Sequence, residues 1–141
     1  MMKRLLLIVL SLLLVLGCEK AKVEYFKDEN GIMYIEYNGK RSSHRPYSGK
    51  LLKFYQNGQN KSEYSYKDGK EDGLFTQWYE NGKKKKEGTS KNGEWDGLVT
   101  SWWENGQKSS EVHYKNDVIV EIVGRWSEDG SIIWTIDGSM K

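Results

Sequence analysis

Between residues 49 and 138 the apolar positions follow two periods at once. Within each short run they alternate: Leu51 and Tyr55 fall on one side of an extended chain, Leu52 and Phe54 on the other. That is the alternation of a β-strand that places apolar residues on both faces of a sheet, so that neither face is purely polar. The runs themselves recur every 24 residues. Phe54, Trp78, Trp102 and Trp126 mark the repeat, and Tyr55, Tyr79 and Trp103 follow as a second aromatic. Three residues after each first aromatic stands a turn dipeptide, Asn57-Gly58, Asn81-Gly82, Asn105-Gly106 or Asp129-Gly130, and Gly49, Gly73 and Gly97 stand nine residues before the first three turn glycines. Self-similarity at a fixed period makes each unit one supersecondary element that buries its apolar face against its neighbours.

Asn-Gly between two apolar-containing runs signals a two-residue type I′ hairpin, because both central residues of that turn need φ > 0. Asn57-Gly58 is therefore expected to join a strand at about 50–56 to one at about 59–66, with Lys67–Asp72 as a longer polar turn. A two-residue turn sets Phe54 opposite Lys61, Leu51 opposite Tyr64 and Gly49 opposite Tyr66. One face then carries Leu51, Tyr55, Tyr64 and Tyr66, with Phe75, Tyr79 and Gly88, Val99, Trp103 and Val112, and Val123 with Ile136 as equivalents. Large rings lie across from bare glycines: Gly49 with Tyr66, Phe75 with Gly88, Gly97 with Tyr114. The other face carries Phe54, Trp78, Trp102 and Trp126 beside Lys61, Lys85, Ser109 and Ile133, with Glu63, Glu87 and Glu111 nearby.

The chain has 6 Trp and 9 Tyr, and few aliphatic residues after its first segment, too few for a thick two-layer core. The expected fold is all-β: an elongated single-layer antiparallel meander of repeated hairpins, using aromatic cross-strand pairs as its local core.

The first segment differs in kind. Lys3 and Arg4 precede an apolar run from Leu5 to Leu16 broken only by Ser11. The run is shorter than the roughly twenty residues a spanning helix needs and has the flank and length of a secretory leader. It closes on Val15-Leu16-Gly17-Cys18, which resembles the lipobox of bacterial lipoproteins. The resemblance implies cleavage before Cys18 and acylation of it. Cys18 is the only cysteine, so no intrachain disulfide forms. Acyl chains anchor at about 0.8 kcal/mol per buried methylene. Removing residues 1–17 takes away Lys3 and Arg4 and no acid, which lowers the formal charge from +2 to zero. A neutral domain argues against nucleic acid as partner. The organisation expected is a signal peptide at 1–17, a lipidated Cys and tether at 18–22, and a repeat domain at 23–141. That domain comprises a half repeat at 23–48, repeats at 49–72, 73–96 and 97–120, and a cap at 121–141.

Candidate chemistry is sparse. His44 and His113 lie in different repeats. Glu63, Glu87 and Glu111 recur at the repeat period, as structural residues do. Asp68, Asp72, Asp96 and Asn92 cluster near turns without calcium-loop spacing, and turns favour these residues for backbone reasons. The run Lys83–Lys86 alternates faces on a strand and so cannot offer four charges to one surface. Lys40, Arg41, His44, Arg45 and Lys50 form a basic cluster nearer the anchor. No catalytic residue, metal or cofactor is expected.

The stretches Gly73-Leu-Phe-Thr-Gln-Trp78-Tyr79-Glu-Asn81-Gly82-Lys and Gly97-Leu-Val-Thr-Ser-Trp102-Trp103-Glu-Asn105-Gly106-Gln resemble the bacterial variant of the MORN repeat. Gly49 to Gly58 fits the same pattern. Residues 122–138 fit in part, with Ser127 for the second aromatic. Tyr25-Phe26 before Asn30-Gly31 is a half-match with three extra residues around 41–46. The resemblance implies hairpin sheets used for protein contact, membrane association or scaffolding, and members of this variant are often labelled antitoxins. The expected function is a membrane-anchored lipoprotein of the bacterial cell envelope, at the outer membrane if the cell is Gram-negative. It would bind a protein partner through Phe54, Trp78, Trp102 and Trp126. The alternatives are immunity against an exported toxin, or a cell-wall or carbohydrate-binding module, with glycan the less favoured partner. Against all three stands the plainer role of those rings as cross-strand stabilisers.

Overall fold

Alternating side chains and glycine-bearing turns resolve into strands throughout the described part of the chain. The computed structural model describes residues 7–8, 23–37, 40–41 and 45–135. Cys18, His44, Ile136 and the remainder of the expected leader lie outside them. The strands are β1 (Leu7–Ile8), β2 (Val23–Lys27), β3 (Met33–Tyr37), β4 (Lys40–Arg41), β5 (Gly49–Phe54), β6 (Asn60–Lys67) and β7 (Lys70–Trp78). They continue as β8 (Lys84–Lys91), β9 (Glu94–Trp95), β10 (Gly97–Trp102), β11 (Lys108–Lys115), β12 (Val118–Trp126) and β13 (Ile132–Thr135). One sheet has the order β1-β2-β3-β4; the other runs β13-β12-β11-β10-β8-β7-β6-β5, with β9 beside β8. Strand neighbours follow chain order and the sheet is open, so the all-β antiparallel meander expected from the repeat is the fold.

The chain divides into two compact units, Met1–Gly49 with Tyr66–Lys70, and Lys50–Ser65 with Glu71–Lys141. In the first, β2 and β3 pair from Val23↔Tyr37 to Lys27↔Met33. Met33 is 1% exposed and sits in a closed set of backbone bonds. Met33 N donates to Gly69 O at 2.9 Å, Gly69 N to Tyr47 O at 2.7 Å, and Tyr47 N to Met33 O at 2.7 Å. The Tyr47 ring meets Tyr25 edge-on at 5.3 Å, and Phe26 stacks on Tyr34 at 5.6 Å.

In the second unit the buried row is Leu51, Phe75 and Val99, each at most 3% exposed, with Val112 at 7%. These belong to the face that alternation assigned to the core. The pairs Phe75↔Gly88 and Gly97↔Tyr114 are in the expected register. A Cβ at Gly88 would come within 3.0 Å of the Phe75 ring; the glycine gives the ring its seat. An aromatic series continues along this face: Tyr64 stacks on Phe75 at 5.9 Å, Phe75 on Trp95 at 5.7 Å, and Trp95 meets Tyr114 edge-on at 5.0 Å.

The turns correct the sequence reading. Asn57, Asn81 and Asn105 do not adopt positive φ, whereas Gly58, Gly82 and Gly106 do, at 84°, 82° and 94°. Gly82 N donates to Tyr79 O at 3.0 Å and Tyr79 N to Lys83 O at 2.8 Å, and the turns after Tyr55, Trp103 and Ser127 repeat that pair of bonds. This is a three-residue loop, a type I turn closed by a glycine bulge. The type I′ turns are at the other end of the strands, where φ is 48° and 79° at Asp68-Gly69, 55° and 95° at Asn92-Gly93, and 50° and 61° at Asn116-Asp117. The stretch read as a long polar turn, Lys67–Asp72, is therefore mostly strand around a two-residue reversal. The physical reason is that Asn-Gly serves either turn, and a side-chain bond settles the choice. Asn81 Oδ1 accepts from Lys83 N at 3.0 Å, which holds Asn81 outside the left-handed region.

The bulge shifts the pairing by one beside each of these turns. Trp78 stands opposite Lys84 and Trp102 opposite Lys108, and Trp126 faces Ile132. Lys85, Ser109 and Ile133, the expected partners, are displaced by one. Two further shifts in β11–β12 set Val112 opposite Ile122, so Val123 is not its continuation in the core row.

The two turn types predict opposite responses to one substitution. Asn57→Gly loses the side-chain bonds of a bulge turn and should cost about 1 kcal/mol. Asn92→Gly, at a left-handed φ, should stay within about 0.5 kcal/mol of the parent. Urea unfolding of both variants checks this; two equal losses would contradict the turn assignment.

Candidate functional site

Alternation along β7 and β10 sends Leu74 and Trp78, and then Leu98 and Trp102, to the face opposite Phe75 and Val99. On that outer face Lys84, opposite Trp78, carries its Nζ 5.8 Å from the Trp102 ring centre, and Lys108, opposite Trp102, lies 5.9 Å from Trp126. Each lysine thus stands between successive tryptophans. Lys84 also pairs with Glu87 at 2.5 Å and Lys108 with Glu111 at 2.6 Å, while Lys50 pairs with Glu63 at 2.6 Å. The periodic glutamates are ion-pair partners. Trp78, Trp102 and Trp126 are half-buried, and Phe54 is 38% exposed. Leu74 is 65% and Leu98 41% exposed. These two leucines are also 24 residues apart, a signal that the sequence held and that the aromatic pattern overshadowed.

The second aromatic of each pair does different work. Tyr55 Oη donates to Trp78 O at 2.7 Å, Tyr79 Oη to Trp102 O at 2.8 Å, and Trp103 Nε1 to Trp126 O at 3.0 Å. The turn asparagines run parallel. Asn57 Nδ2 donates to Glu80 O at 3.2 Å, Asn81 Nδ2 to Glu104 O at 3.1 Å, and Asn105 Nδ2 to Glu128 O at 2.5 Å. Every one of these bonds spans 23 residues and ties one repeat to the next. Asp129 has no amide to donate. Its Oδ1 instead accepts from Ser127 Oγ at 2.5 Å and Ser131 N at 2.8 Å. Those bonds, Ser127 foremost, lower its pKa to about 2.

The Lys83–Lys86 run is divided by the bulge, which sets Lys84 opposite Trp78 and Lys86 opposite Gln77. Lys83 Nζ donates to Asn105 O at 2.6 Å, and Lys84 lies on the outer face. Lys85 stands over Tyr79 at 5.5 Å and Lys86 over Trp95 at 4.7 Å. Burial, then the Lys85 charge, lowers the Lys86 pKa. Burial also raises Tyr79, helped by Glu104 and Glu128, and it raises Tyr64. The acidic turn residues are engaged separately: Asp72 Oδ2 accepts from Asn92 N, and Asp96 Oδ2 from Lys115 Nζ. Among the described residues no group of three or more His, Cys, Asp or Glu is arranged to hold a metal ion, and no helix is long and apolar enough to cross a membrane. Trp95, a link in the aromatic series, escaped the sequence reading because its counterparts one repeat away are Glu71 and Ile119.

Residues 71–92 and 95–116 match the family model of the MORN repeat variant. The match falls on two successive hairpins, where both aromatics, the Asn-Gly turn and the glycine within β7 or at the start of β10 are all present. MORN repeats are commonly involved in protein and membrane interactions, which fits a binding module. No curated protein and no solved structure gave a match to the chain.

Two measurements test these linkages. Tyr79→Phe keeps the ring and deletes the bond to Trp102 O, with an expected loss of about 1 kcal/mol by urea unfolding. Asp129 should titrate at about 2 by carboxyl NMR, with Ser127→Ala moving it upward. A carboxyl depressed in the fold contributes stability that is present above its unfolded value of 3.8 and is lost as pH falls through about 2.

Proposed function

We propose that the chain is a non-catalytic interaction module, held at a bacterial envelope membrane by lipidated Cys18, and that its partner is a protein docking on the outer face of the repeat sheet. The observation that carries this reading is the exposure of Leu74 and Leu98. Scattered exposed leucines are ordinary. Here two of them recur at the repeat period, on the face that also carries Trp78 and Trp102. Tryptophan is enriched among interface hot spots, and the exposed leucines extend the apolar surface around it. The lysines between the rings restrain them, which lowers the entropy lost on docking. The anchor rests on the lipobox-like Val15-Leu16-Gly17-Cys18.

The test is capture from solubilised envelope extract by the native protein and by a Leu74→Ser/Leu98→Ser variant of equal thermal stability. A protein retained by the native form alone supports the outer face as the site. Equal retention moves the site elsewhere, and no retention overturns the reading. Radiolabelled palmitate should enter the native protein and not Cys18→Ser; label in both would dismiss Cys18 as the anchor.

A further inference from the structure

The core face is filled in one repeat and open in the next. Around Phe75 the space is taken by Tyr64 and Trp95, and Gln77 donates to Tyr64 Oη at 2.5 Å. One repeat on, the counterparts of Phe75, Gln77 and Trp95 are Val99, Ser101 and Ile119. The lost volume appears as an open groove of about 360 Å³ lined by all three. Its floor is Val99 and Val112, 3% and 7% exposed, and Trp103 and Tyr114 are among the remaining lining residues.

One row of the sheet crosses this groove. Register pairs Lys86 with Ser101, Ser101 with Ser110, and Ser110 with Arg125, so that β8, β10, β11 and β12 contribute cation, hydroxyl, hydroxyl and cation in line. All four line the groove, and its lining contains no carboxylate. Among the described residues neither Lys86 nor Arg125 has an ion-pair partner, and the hydroxyls of Ser101 and Ser110 make no hydrogen bond. Burial, and then the neighbouring Lys85 charge, lower the Lys86 pKa, and both penalties are of the kind that a bound anion relieves. Two unpaired cations flanking two unspent donors form a carboxylate seat, with charge-assisted bonds available from either side. The apolar floor and the aromatic lining residues favour a flat apolar body. The volume is within the range of small-ligand sites, about 300–1,000 Å³.

We propose that this groove binds a small aromatic carboxylate, its carboxyl on the Lys86–Ser101–Ser110–Arg125 row and its ring over Val99 and Val112. Leu74, Leu98, Trp78 and Trp102, which carry the protein-docking reading, are not among its lining residues, so the two readings can fail separately.

The probe is 2-naphthoate, titrated calorimetrically into the full-length protein in lipid nanodiscs, with empty nanodiscs as blank. One saturable site per chain is expected. The neutral 2-naphthylmethanol and the cationic 2-naphthylmethylamine should bind at least about tenfold more weakly, since each lacks the charge-assisted bonds. Lys86→Gln and Arg125→Gln should each weaken 2-naphthoate about tenfold. Ile119→Trp, at a half-exposed position, restores the ring that the preceding repeat carries and should block the groove. Circular dichroism and unfolding midpoints confirm that each variant is folded. The proposal is overturned by absence of saturable binding up to about 5 mM, which would mean less than about 3 kcal/mol of affinity. It is equally overturned by equal affinity for the neutral analogue, or by folded cation variants that bind 2-naphthoate as the parent does.

Discussion

The structure depends on a hydrogen bond that leaves each repeat for the next. A sheet of short hairpins with an aromatic local core has little buried area per strand, and an isolated hairpin is marginal in water. What makes the array cohere is that each turn end is tied forward twice, once by the second aromatic to the carbonyl of the next first aromatic, and once by the turn asparagine to a glutamate carbonyl. The opposite strand ends are tied as well, through Gly93 N to Glu71 O and Asp117 N to Trp95 O. Stability of such an array is a sum of repeat terms and nearest-neighbour terms, and these bonds are a large part of the neighbour term. They also explain why aromatic, aromatic, Asn and Gly occur together: the second aromatic and the Asn donate to the next repeat, the first aromatic's carbonyl accepts from the preceding one, and the Gly closes the turn that aims them.

The repeat, the strand class and the buried face were legible in the sequence, because alternation and a 24-residue period are properties of side-chain order alone. Leu51, Phe75, Val99 and Val112 were placed correctly for that reason. The turn types were not legible. Asn-Gly satisfies both a two-residue reversal and a glycine-bulge loop, and the bond from Asn81 Oδ1 to Lys83 N that separates them exists only once the chain has folded. The error propagated by one residue into the expected partners of the tryptophans, Lys85 for Lys84 and Ser109 for Lys108. Trp95 was missed because period reading finds what is copied, and Trp95 is not. The groove was missed for the same reason, since it is made by departures from the repeat at Val99, Ser101 and Ile119.

The two faces therefore differ in how they use repetition. The outer face multiplies one arrangement of ring, lysine and glutamate along the array. The core face holds one arrangement only as far as its rings continue, and then opens where they become small. A binding surface built by copying suits an extended partner, whereas a local departure from the copy makes a single site with one shape.

The substitution of aspartate for asparagine at Asp129 gives the array a direction. Any unit ending in asparagine carries a donor for a successor, so internal duplication of such a unit produces a longer array with all its joints complete. Asp129 offers no such joint. It accepts from its own loop through Ser127 and Ser131 instead. At this turn the forward side-chain joint of the asparagine units is exchanged for bonds within the loop itself, so one amide-for-carboxylate change turns a group that reaches outward into one that holds its own turn.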